Sequence, residues 1–310
     1  MTNLVNKKEL TGLNRDTTDK FYTNENIVSL CIENIKVILN INKNDIIIEP
    51  SAGNGSFIKY IESLSNNCIY FDILPENKLI KKENYLELNI KSWLKTNNYI
   101  TNEYLNSTLG ISSENLKYKK IHIIGNPPFG RQSSLAIKFI KKSCEFCDTI
   151  SFILPKSFKK ESLKKHFPLN FHLKLELDLP KKSFHFSNEN IPYDVPCIFQ
   201  IWKKEENKRE IITKLEPINF VFVKNTENPD ISIRRVGGTS GYVDDDINNK
   251  NTQSHNFIKF NKNILKKINI KELVKILNNI KYDFNNTVGP KSISKQEIIK
   301  EFEIVLKNFN

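Results

Sequence analysis

Short apolar runs that alternate with helical stretches constrain the fold of this chain more than any other feature. The strand candidates are Asp45–Glu49, Cys68–Ile73, Lys120–Gly125, Thr149–Leu154, Leu173–Leu179 and Val195–Trp202. Near-continuous apolar strands separated by helices are typical of a parallel sheet covered on both faces. The last two runs should pair antiparallel, because the loop-like residues 181–192 leave no room for a crossover helix. The sequence therefore predicts an α/β, Rossmann-like fold: a mostly parallel sheet with a reversed last strand and helices on both faces.

A rigid turn follows the run that ends at Gly125. Its residues are Asn126, Pro127, Pro128 and Phe129. Two consecutive prolines fix φ and supply no N–H groups, so the carbonyl groups of the turn are free to accept hydrogen bonds. The side-chain oxygen of Asn126 and the carbonyl of Pro127 can accept from an amine, and Phe129 offers a flat face to a ring. The turn suits a planar amine, although Asn and Pro are also ordinary residues where a strand stops.

A second turn, rich in small residues, follows the first run. Its sequence is Glu49-Pro50-Ser51-Ala52-Gly53-Asn54-Gly55. Gly53 and Gly55 let the backbone turn tightly and approach a ligand without a Cβ in the way. The spacing differs from the dinucleotide-binding fingerprint, and a tight strand-to-helix turn without a ligand is the plain structural alternative.

Together the two motifs resemble the S-adenosylmethionine-dependent N6-adenine (amino-group) methyltransferases, with the cofactor loop first and the Asn-Pro-Pro-Phe motif second. In that family the acidic-Pro-x-x-Gly-x-Gly loop holds the methionine part of the cofactor, and the Asn/Asp-Pro-Pro-aromatic turn holds the amine. The resemblance implies a class I methyltransferase fold with S-adenosyl-L-methionine as cofactor. It gives catalytic roles to Asn126, Pro127, Pro128 and Phe129, and cofactor-binding roles to Glu49, Pro50, Ser51, Ala52, Gly53 and Gly55.

Further segments extend this resemblance across roughly residues 15 to 205. The segment Thr18–Thr23 is similar to a family segment that lines the cofactor pocket, which implies such roles for Phe21, Tyr22 and Thr23. Asp72 and Ile73 end the second strand, where the carboxylate could accept from both ribose hydroxyls. Asn84 and Tyr85 stand where the family usually has Asp-Phe, the Asp receiving the adenine amine of the cofactor. An asparagine can still accept that bond, but it adds no charge.

An aromatic wall for the target base is expected in the loop 180–186. In the family, an aromatic residue of the matching segment stacks on the flipped adenine opposite the Asn-Pro-Pro-aromatic turn. The resemblance implies that role first for Phe186 and then for Phe184, with Phe129 on the other side. Core phenylalanines that close the end of the sheet are the structural alternative.

Composition is consistent with a nucleic-acid partner. Lys and Arg number 47 against 35 Asp and Glu, which gives a net charge of +12. Such an excess favours an anionic partner, although codon bias in an AT-rich genome also produces many lysines. Cys144 and Cys147 form a Cys-x-x-Cys pair without a second pair at zinc-site spacing, so no metal is expected. With no apolar leader or membrane-length run, we expect an intracellular, cytoplasmic protein without a membrane partner, in a host cell if the source is viral.

Three regions are predicted along the chain. Residues 1–16 are expected to be a mobile N-terminal segment, residues 17–205 the methyltransferase catalytic domain, and residues 206–310 a small α+β extension that is a candidate target-recognition module. In the extension we predict the strands Asn219–Val223, Ile231–Arg235 and Phe257–Phe260 and the helices Asn263–Ile280 and Ser294–Leu306. Arg234 and Arg235 precede a glycine-rich loop that could grip phosphates, read guanine edges, or be an exposed hairpin loop.

The predicted function is methyl transfer from S-adenosylmethionine to the N6 amine of adenine in nucleic acid. DNA is favoured over RNA because the Glu-Pro-Ser-Ala-Gly loop resembles the DNA enzymes more. The alternatives are an RNA N6-adenosine methyltransferase, a protein-glutamine N-methyltransferase, and a catalytically silent nucleic-acid-binding module. The sequence leaves the target sequence, strandedness, oligomeric state and any partner subunit undetermined.

Overall fold

A computed structural model describes residues 21–100, 119–186, 192–210, 213–284 and 290–309. The predicted mobile segment, residues 1–16, lies outside these ranges, as do Thr18, Asp19 and Lys20. The chain divides into two compact units, one ending at Glu210 and the other beginning at Ile211. The roles assigned to residues 17–205 and 206–310 stay predictions.

The N-terminal unit is built on a seven-stranded sheet. The strands of this unit are β1 (Phe21–Thr23), β2 (Ile46–Glu49), β3 (Asn67–Asp72), β4 (Lys81–Lys82), β5 (Ile121–Gly125), β6 (Thr149–Pro155), β7 (Phe171–Asp178), β8 (Phe184–Phe186), β9 (Pro192–Tyr193) and β10 (Cys197–Lys204). Its described helices are α1 (Glu25–Ile38), α2 (Ile58–Glu62), α3 (Ile90–Thr96), α4 (Ser134–Cys144) and α5 (Glu161–Lys164).

The strand order of the main sheet is β4-β3-β2-β5-β6-β10-β7. The pairs from β4 to β6 are parallel, whereas β10 lies antiparallel to both β6 and β7. The predicted α/β, Rossmann-like fold class, with a mostly parallel sheet and a reversed last strand, is confirmed. The strands β2, β5 and β6 are buried at every residue, as expected of central strands covered on both faces.

The parallel register brings the ends of three strands to one edge of this sheet. Ile48 of β2 pairs with Ile69 of β3 and with Ile123 of β5. The turns that follow β2 and β5 therefore start at the same edge, next to the end of β3. In open α/β sheets this carboxyl edge is where ligands bind.

A small second sheet corrects one prediction. Residues 181–192 were expected to be loop-like, but β8 and β9 lie within or at the edge of that stretch and form a sheet in the order β1-β8-β9. Phe21 pairs with Phe186, and Thr23 pairs with Phe184. The sequence around β8 shows only one of its two partners, because β9 is near but β1 lies more than 160 residues away.

The C-terminal unit is a four-stranded antiparallel sheet packed with helices. Its elements are β11 (Phe220–Val223), β12 (Ile231–Arg234), β13 (Val243–Asp244), β14 (His255–Phe260), α6 (Lys262–Lys267), α7 (Ile270–Leu277) and α8 (Lys295–Leu306). The single predicted helix Asn263–Ile280 is wrong, because Ile268 is extended and the side chain of Asn269 accepts from the N–H of Glu272 to begin a new helix. No described helix of either unit is long and apolar enough to cross a bilayer.

Replacing Trp202 should test how the sheet of the N-terminal unit is held together. The indole is 1% exposed and stacks on Phe167 with ring centroids 4.0 Å apart. Its Nε1–H donates to Oε1 of Gln200 over 2.9 Å. We expect Trp202→Ala to lower the free energy of unfolding by ~3–5 kcal/mol, because it leaves a cavity and an unpaired amide oxygen.

Urea denaturation followed by circular dichroism measures this change. Val37 is 82% exposed, so Val37→Ala serves as the control and should change the free energy of unfolding by less than ~0.5 kcal/mol. Equal midpoints for the two variants would contradict the packing described for Trp202.

Candidate active site

A cavity of about 980 Å³ opens at the carboxyl edge of the main sheet. Most of the predicted site residues line it: Phe21, Tyr22, Thr23, Glu49, Pro50, Ser51, Ala52, Gly53, Asp72, Ile73, Asn84, Tyr85, Asn126 and Pro128. Pro127, Phe129 and Phe184 instead line an adjoining cavity of about 20 Å³, which Phe21, Asn126 and Pro128 share. Gly55 lines neither of these two cavities. The two sequence motifs therefore meet at one site, while the chemical role of each residue stays a prediction.

The turn after β2 is tied to the end of β3 by a carboxylate. The N–H of Gly53 donates to Oδ2 of Asp72 over 2.8 Å, and the N–H of Leu74 donates to Oδ1 over 2.8 Å. Gly55 has φ of +88°, and a Cβ there would lie 2.7 Å from Cδ1 of Ile58, so a side chain would disrupt the turn. Each carboxylate oxygen of Asp72 keeps a second lone pair, which leaves the predicted ribose contact open.

Glu49 places a buried carboxyl group at the cavity. Its side chain is 2% exposed, and Oε2 has no hydrogen-bond partner among the described residues. Burial, followed by repulsion from Asp72, raises the pKa of Glu49 to about 8. A buried carboxyl group with an unused oxygen is suited to pairing with a cationic ligand group.

Asn126 presents an unused hydrogen-bond acceptor. Its Nδ2 donates to Oγ1 of Thr23 over 3.3 Å, which orients the amide group. Its Oδ1 is buried and has no partner among the described residues. The hydroxyl of Ser51 donates to the Asn126 carbonyl over 3.3 Å, which joins the two motifs. A buried acceptor without a partner is costly unless a ligand supplies the donor, so this oxygen is a candidate contact for an N–H group.

Two tyrosines of the cavity wall are held by hydrogen bonds. The hydroxyl of Tyr22 donates to Oε1 of Glu76 over 2.5 Å. Tyr85 stacks on Phe139 with centroids 5.6 Å apart, and its hydroxyl lies 2.8 Å from Oγ of Ser143. Burial, the largest cause, raises the pKa of both phenols well above the usual value. The rings therefore stay neutral and serve as walls of the cavity.

Asn84 also stands at the cavity, and its side chain is exposed. Its Oδ1 accepts from the N–H of Leu86 over 3.2 Å, which closes a local turn. The oxygen keeps a second lone pair, so acceptance from a cofactor amine stays a prediction.

The predicted aromatic wall leaves no room for a base between its rings. Phe129 is 7% exposed and Phe184 is 1% exposed. The adjoining cavity between them has room for about one water molecule. The backbone of Phe186 lies in β8, but its side chain lies outside the described part of the structure. Stacking of a base on these rings therefore requires them to move apart and stays a prediction.

Residues that sequence reasoning missed complete the lining. Arg131, Gln132 and Leu135 follow the Asn-Pro-Pro-Phe turn, and Glu83 precedes Asn84. Gln132 and Ser133 have φ of 53° and 62°, a left-handed conformation that only a constrained segment holds. Arg131 is the only cationic side chain among the lining residues that the structure describes. The position of these lining residues next to the motifs was the one signal in the sequence that could have identified them.

Three lysines of residues 156–165, the segment that follows β6, are paired with carboxylates. Nζ of Lys156 and Nζ of Lys159 lie 3.3 Å and 2.6 Å from the Asp178 carboxylate. Nζ of Lys164 lies 3.1 Å from Glu176. These ion pairs make the three lysines less available to phosphates. Within the described ranges, no group of three or more His, Cys, Asp or Glu residues is arranged to hold a metal ion.

Comparison with known proteins gives a partial match. No protein-family model matches the chain. The chain is 31% identical over 138 residues to ribosomal RNA small subunit methyltransferase A of Francisella tularensis subsp. novicida, covering 44% of this chain and 47% of that protein. The chain thus spans about half the length of the methyltransferases it matches.

Two solved structures are similar at low sequence identity. One is a candidate RNA methyltransferase from Pyrococcus horikoshii, with a TM-score of 0.39, 16% identity, and coverage of 63% of this chain and 93% of that one. The other is the modification subunit of a candidate type I restriction enzyme from Vibrio vulnificus YJ016. Its TM-score is 0.42 at 12% identity, with coverage of 66% of this chain and 46% of that one.

Proposed function

We propose that this chain transfers a methyl group from S-adenosylmethionine to the N6 amine of adenine in nucleic acid. The observation that carries the proposal is Oδ1 of Asn126, which is buried and has no partner among the described residues, at a cavity that residues 49–54 also line. An acceptor without a partner at a strand end calls for a donor such as an exocyclic amine.

The cavity fits the proposed cofactor in size and in the chemistry of its donors. A volume of about 980 Å³ is sufficient for a drug-sized ligand. Glu49 would pair with the ammonium group of the methionine part, and Asp72 would accept from the ribose hydroxyls. When bound, S-adenosylmethionine supplies an electrophilic methyl group on a sulfonium sulfur.

The chain's own residues would act on the amine. Oδ1 of Asn126 and the Pro127 carbonyl would accept the two N6 hydrogens, which concentrates the nitrogen lone pair away from the ring. Because Thr23 and the two prolines fix these acceptors, they need no reorganisation when the amine reacts. Phe129 would offset part of the few kcal/mol that unstacking the base costs.

Asp72→Ala tests the cofactor half of this proposal. The change removes the acceptor of two backbone N–H groups, so the turn should loosen. We expect the affinity for S-adenosylmethionine to fall at least ~10-fold and the free energy of unfolding to fall by ~1–3 kcal/mol. Isothermal titration calorimetry and urea denaturation measure the two effects.

The control is Asp148→Ala, outside the cavity lining, which removes one acceptor of the Ile121 N–H and should leave cofactor affinity unchanged. Wild-type affinity in Asp72→Ala would contradict the assigned contact.

DNA is the preferred substrate because the Glu-Pro-Ser-Ala-Gly loop, Glu49–Gly53, resembles the DNA enzymes more. RNA is the second candidate, because the methyltransferase that matches at 31% identity bears a ribosomal RNA name. The first experiment is transfer of a labelled methyl group to duplex DNA, single-stranded DNA, RNA and peptide. Label in adenine of a nucleic acid supports the proposal. Label in the peptide alone, or cofactor binding without transfer to any of the four, overturns it.

A further inference from the structure

Two adjacent arginines of the C-terminal unit are held in place without being neutralised. Nε of Arg234 donates to the Val236 carbonyl over 3.1 Å, and Nε of Arg235 donates to the Gln253 carbonyl over 3.0 Å. The Nη groups of both arginines form no hydrogen bond or ion pair with any described residue. A guanidinium fixed through Nε keeps its Nη pair free, and such a pair suits the oxygens of a phosphate.

The backbone that carries these arginines is fixed on both sides. Arg234 donates its N–H to Tyr242 over 2.9 Å and accepts from Gly241 over 2.7 Å. Arg235 donates its N–H to Ser254 over 2.9 Å and accepts from Ile293 over 2.9 Å. Because the backbone and Nε are already ordered, less conformational entropy is lost when an anion binds.

The loop after the arginines adds further donors. Gly237 has φ of +108°, and a Cβ there would lie 3.2 Å from Nη2 of Arg234. The guanidinium therefore lies beside the loop at a point where the backbone carries no side chain. A Cβ at Gly238 would meet no atom within 4 Å, and the N–H groups of Gly238 and Thr239 donate to no described residue. Free backbone N–H groups beside a guanidinium make an anion-binding surface.

The nearby acidic residues that the structure describes form no ion pair with the two arginines. The Asp244 carboxylate is paired with Nζ of Lys250 over 2.5 Å, and this hydrogen bond lowers the pKa of Asp244. Asp245 and Asp246 follow on the exposed chain and have no ion-pair partner among the described residues. The N–H of Gly237 donates to the Lys291 carbonyl over 2.9 Å, which fixes the start of the loop.

We propose that Arg234, Arg235 and the N–H groups of Gly238 and Thr239 bind phosphodiester groups of a nucleic-acid strand. The choice of a nucleic acid as the source of the phosphate rests on the proposed function and on the net charge of +12. Arg235, Gly238 and Thr239 are exposed, which suits a polymer that passes over a surface rather than a small ligand enclosed in a pocket. The contacts are to the backbone, so they add affinity without sequence preference.

The test is binding of the full chain to fluorescent duplex DNA, single-stranded DNA and RNA, by anisotropy over a series of salt concentrations. We expect Arg234→Gln and Arg235→Gln each to weaken binding about 10-fold, equally for unrelated sequences. Each should reduce the slope of log K against log salt by about 0.9 for duplex DNA or about 0.7 for single strands. Lys271→Gln removes an exposed cation in the first turn of α7, outside the proposed site, and should leave the slope unchanged.

The outcomes separate this site from the proposed function. Wild-type affinity and slope in the Arg234→Gln, Arg235→Gln double variant overturn the site, whatever the methyltransferase activity. If the double variant no longer binds inorganic phosphate but binds the oligonucleotides as the wild type does, the proposal is also overturned. The site would then hold a small anion and not a nucleic-acid strand. Loss of oligonucleotide binding in the double variant supports the site even if the wild type methylates no nucleic acid. If Arg234→Gln unfolds, the exposed Arg235→Gln variant alone decides, with thermal denaturation as the check on folding.

Discussion

Asn126→Ala is expected to abolish methyl transfer while leaving the affinity for S-adenosylmethionine within about twofold of the wild type. The variant loses the one buried side-chain oxygen at the turn that has no partner among the described residues. Removing a preorganised acceptor of this kind typically costs ~10²–10³ in turnover. Single-turnover transfer of labelled methyl to adenine, with calorimetry for cofactor affinity, measures the two effects separately.

Three further variants sharpen this result. Asn126→Asp keeps an acceptor oxygen and should retain measurable transfer. Thr23→Val removes the partner that orients the Asn126 amide and should give an intermediate loss. Asn66→Ala is the control, because Asn66 is exposed and its side chain makes no hydrogen bond with any described residue. Near wild-type turnover in Asn126→Ala would exclude the proposed role of this turn.

Glu49→Gln is expected to change how stability depends on pH. The pKa of Glu49 is about 8 in the folded protein against an ordinary 4.5. Between these values the unfolded carboxyl group releases its proton while the folded one keeps it, so the free energy of unfolding falls as pH rises through the window. Above pH 8 the stabilisation that the protonated Glu49 carboxyl group gives the folded state is lost completely. The loss in the wild type should total roughly 3–5 kcal/mol, and Glu49→Gln should lack it.

Urea denaturation from pH 4 to 9 measures this difference, with the exposed Glu62→Gln as the control. Cofactor binding provides a second readout, because a cationic ligand group favours the ionised Glu49. We expect binding at neutral pH to release a proton and the affinity to rise towards pH 8. In Glu49→Gln the affinity should be lower and nearly independent of pH. Parallel stability curves for the wild type and Glu49→Gln would contradict the assigned burial.

Local pattern was sufficient for the strands that build the site. The apolar runs predicted at 45–49 and 120–125 became β2 (Ile46–Glu49) and β5 (Ile121–Gly125), because continuous apolar residues bounded by turns signal a buried strand wherever they occur. Ser294 was likewise predicted at the start of the last helix, and it caps α8 together with Glu297. The two-proline turn and the Gly-x-Gly turn carry their own backbone restrictions.

Local pattern failed where the deciding partner is distant in sequence. Residues 184–186 form the central strand of the sheet β1-β8-β9, and their pairing with β1 joins residues that lie over 160 positions apart in the sequence. Lys156 and Lys159 likewise form ion pairs with Asp178, about 20 residues further along the chain. Ion pairs and strand pairing depend on three-dimensional neighbours that no window of the sequence contains.

The sequence by itself determined the fold class and the positions of the two turns, because strand periodicity, proline and glycine act on the local backbone. The tertiary structure decided which polar groups remain available. Oδ1 of Asn126, Oε2 of Glu49 and the guanidinium groups of Arg234 and Arg235 lack full partners among the described residues, whereas Lys156 and Lys159 have them. Hydrogen bonding and desolvation are set by the atoms that folding brings together, so only the folded chain distinguishes a group that can bind a ligand from one already satisfied.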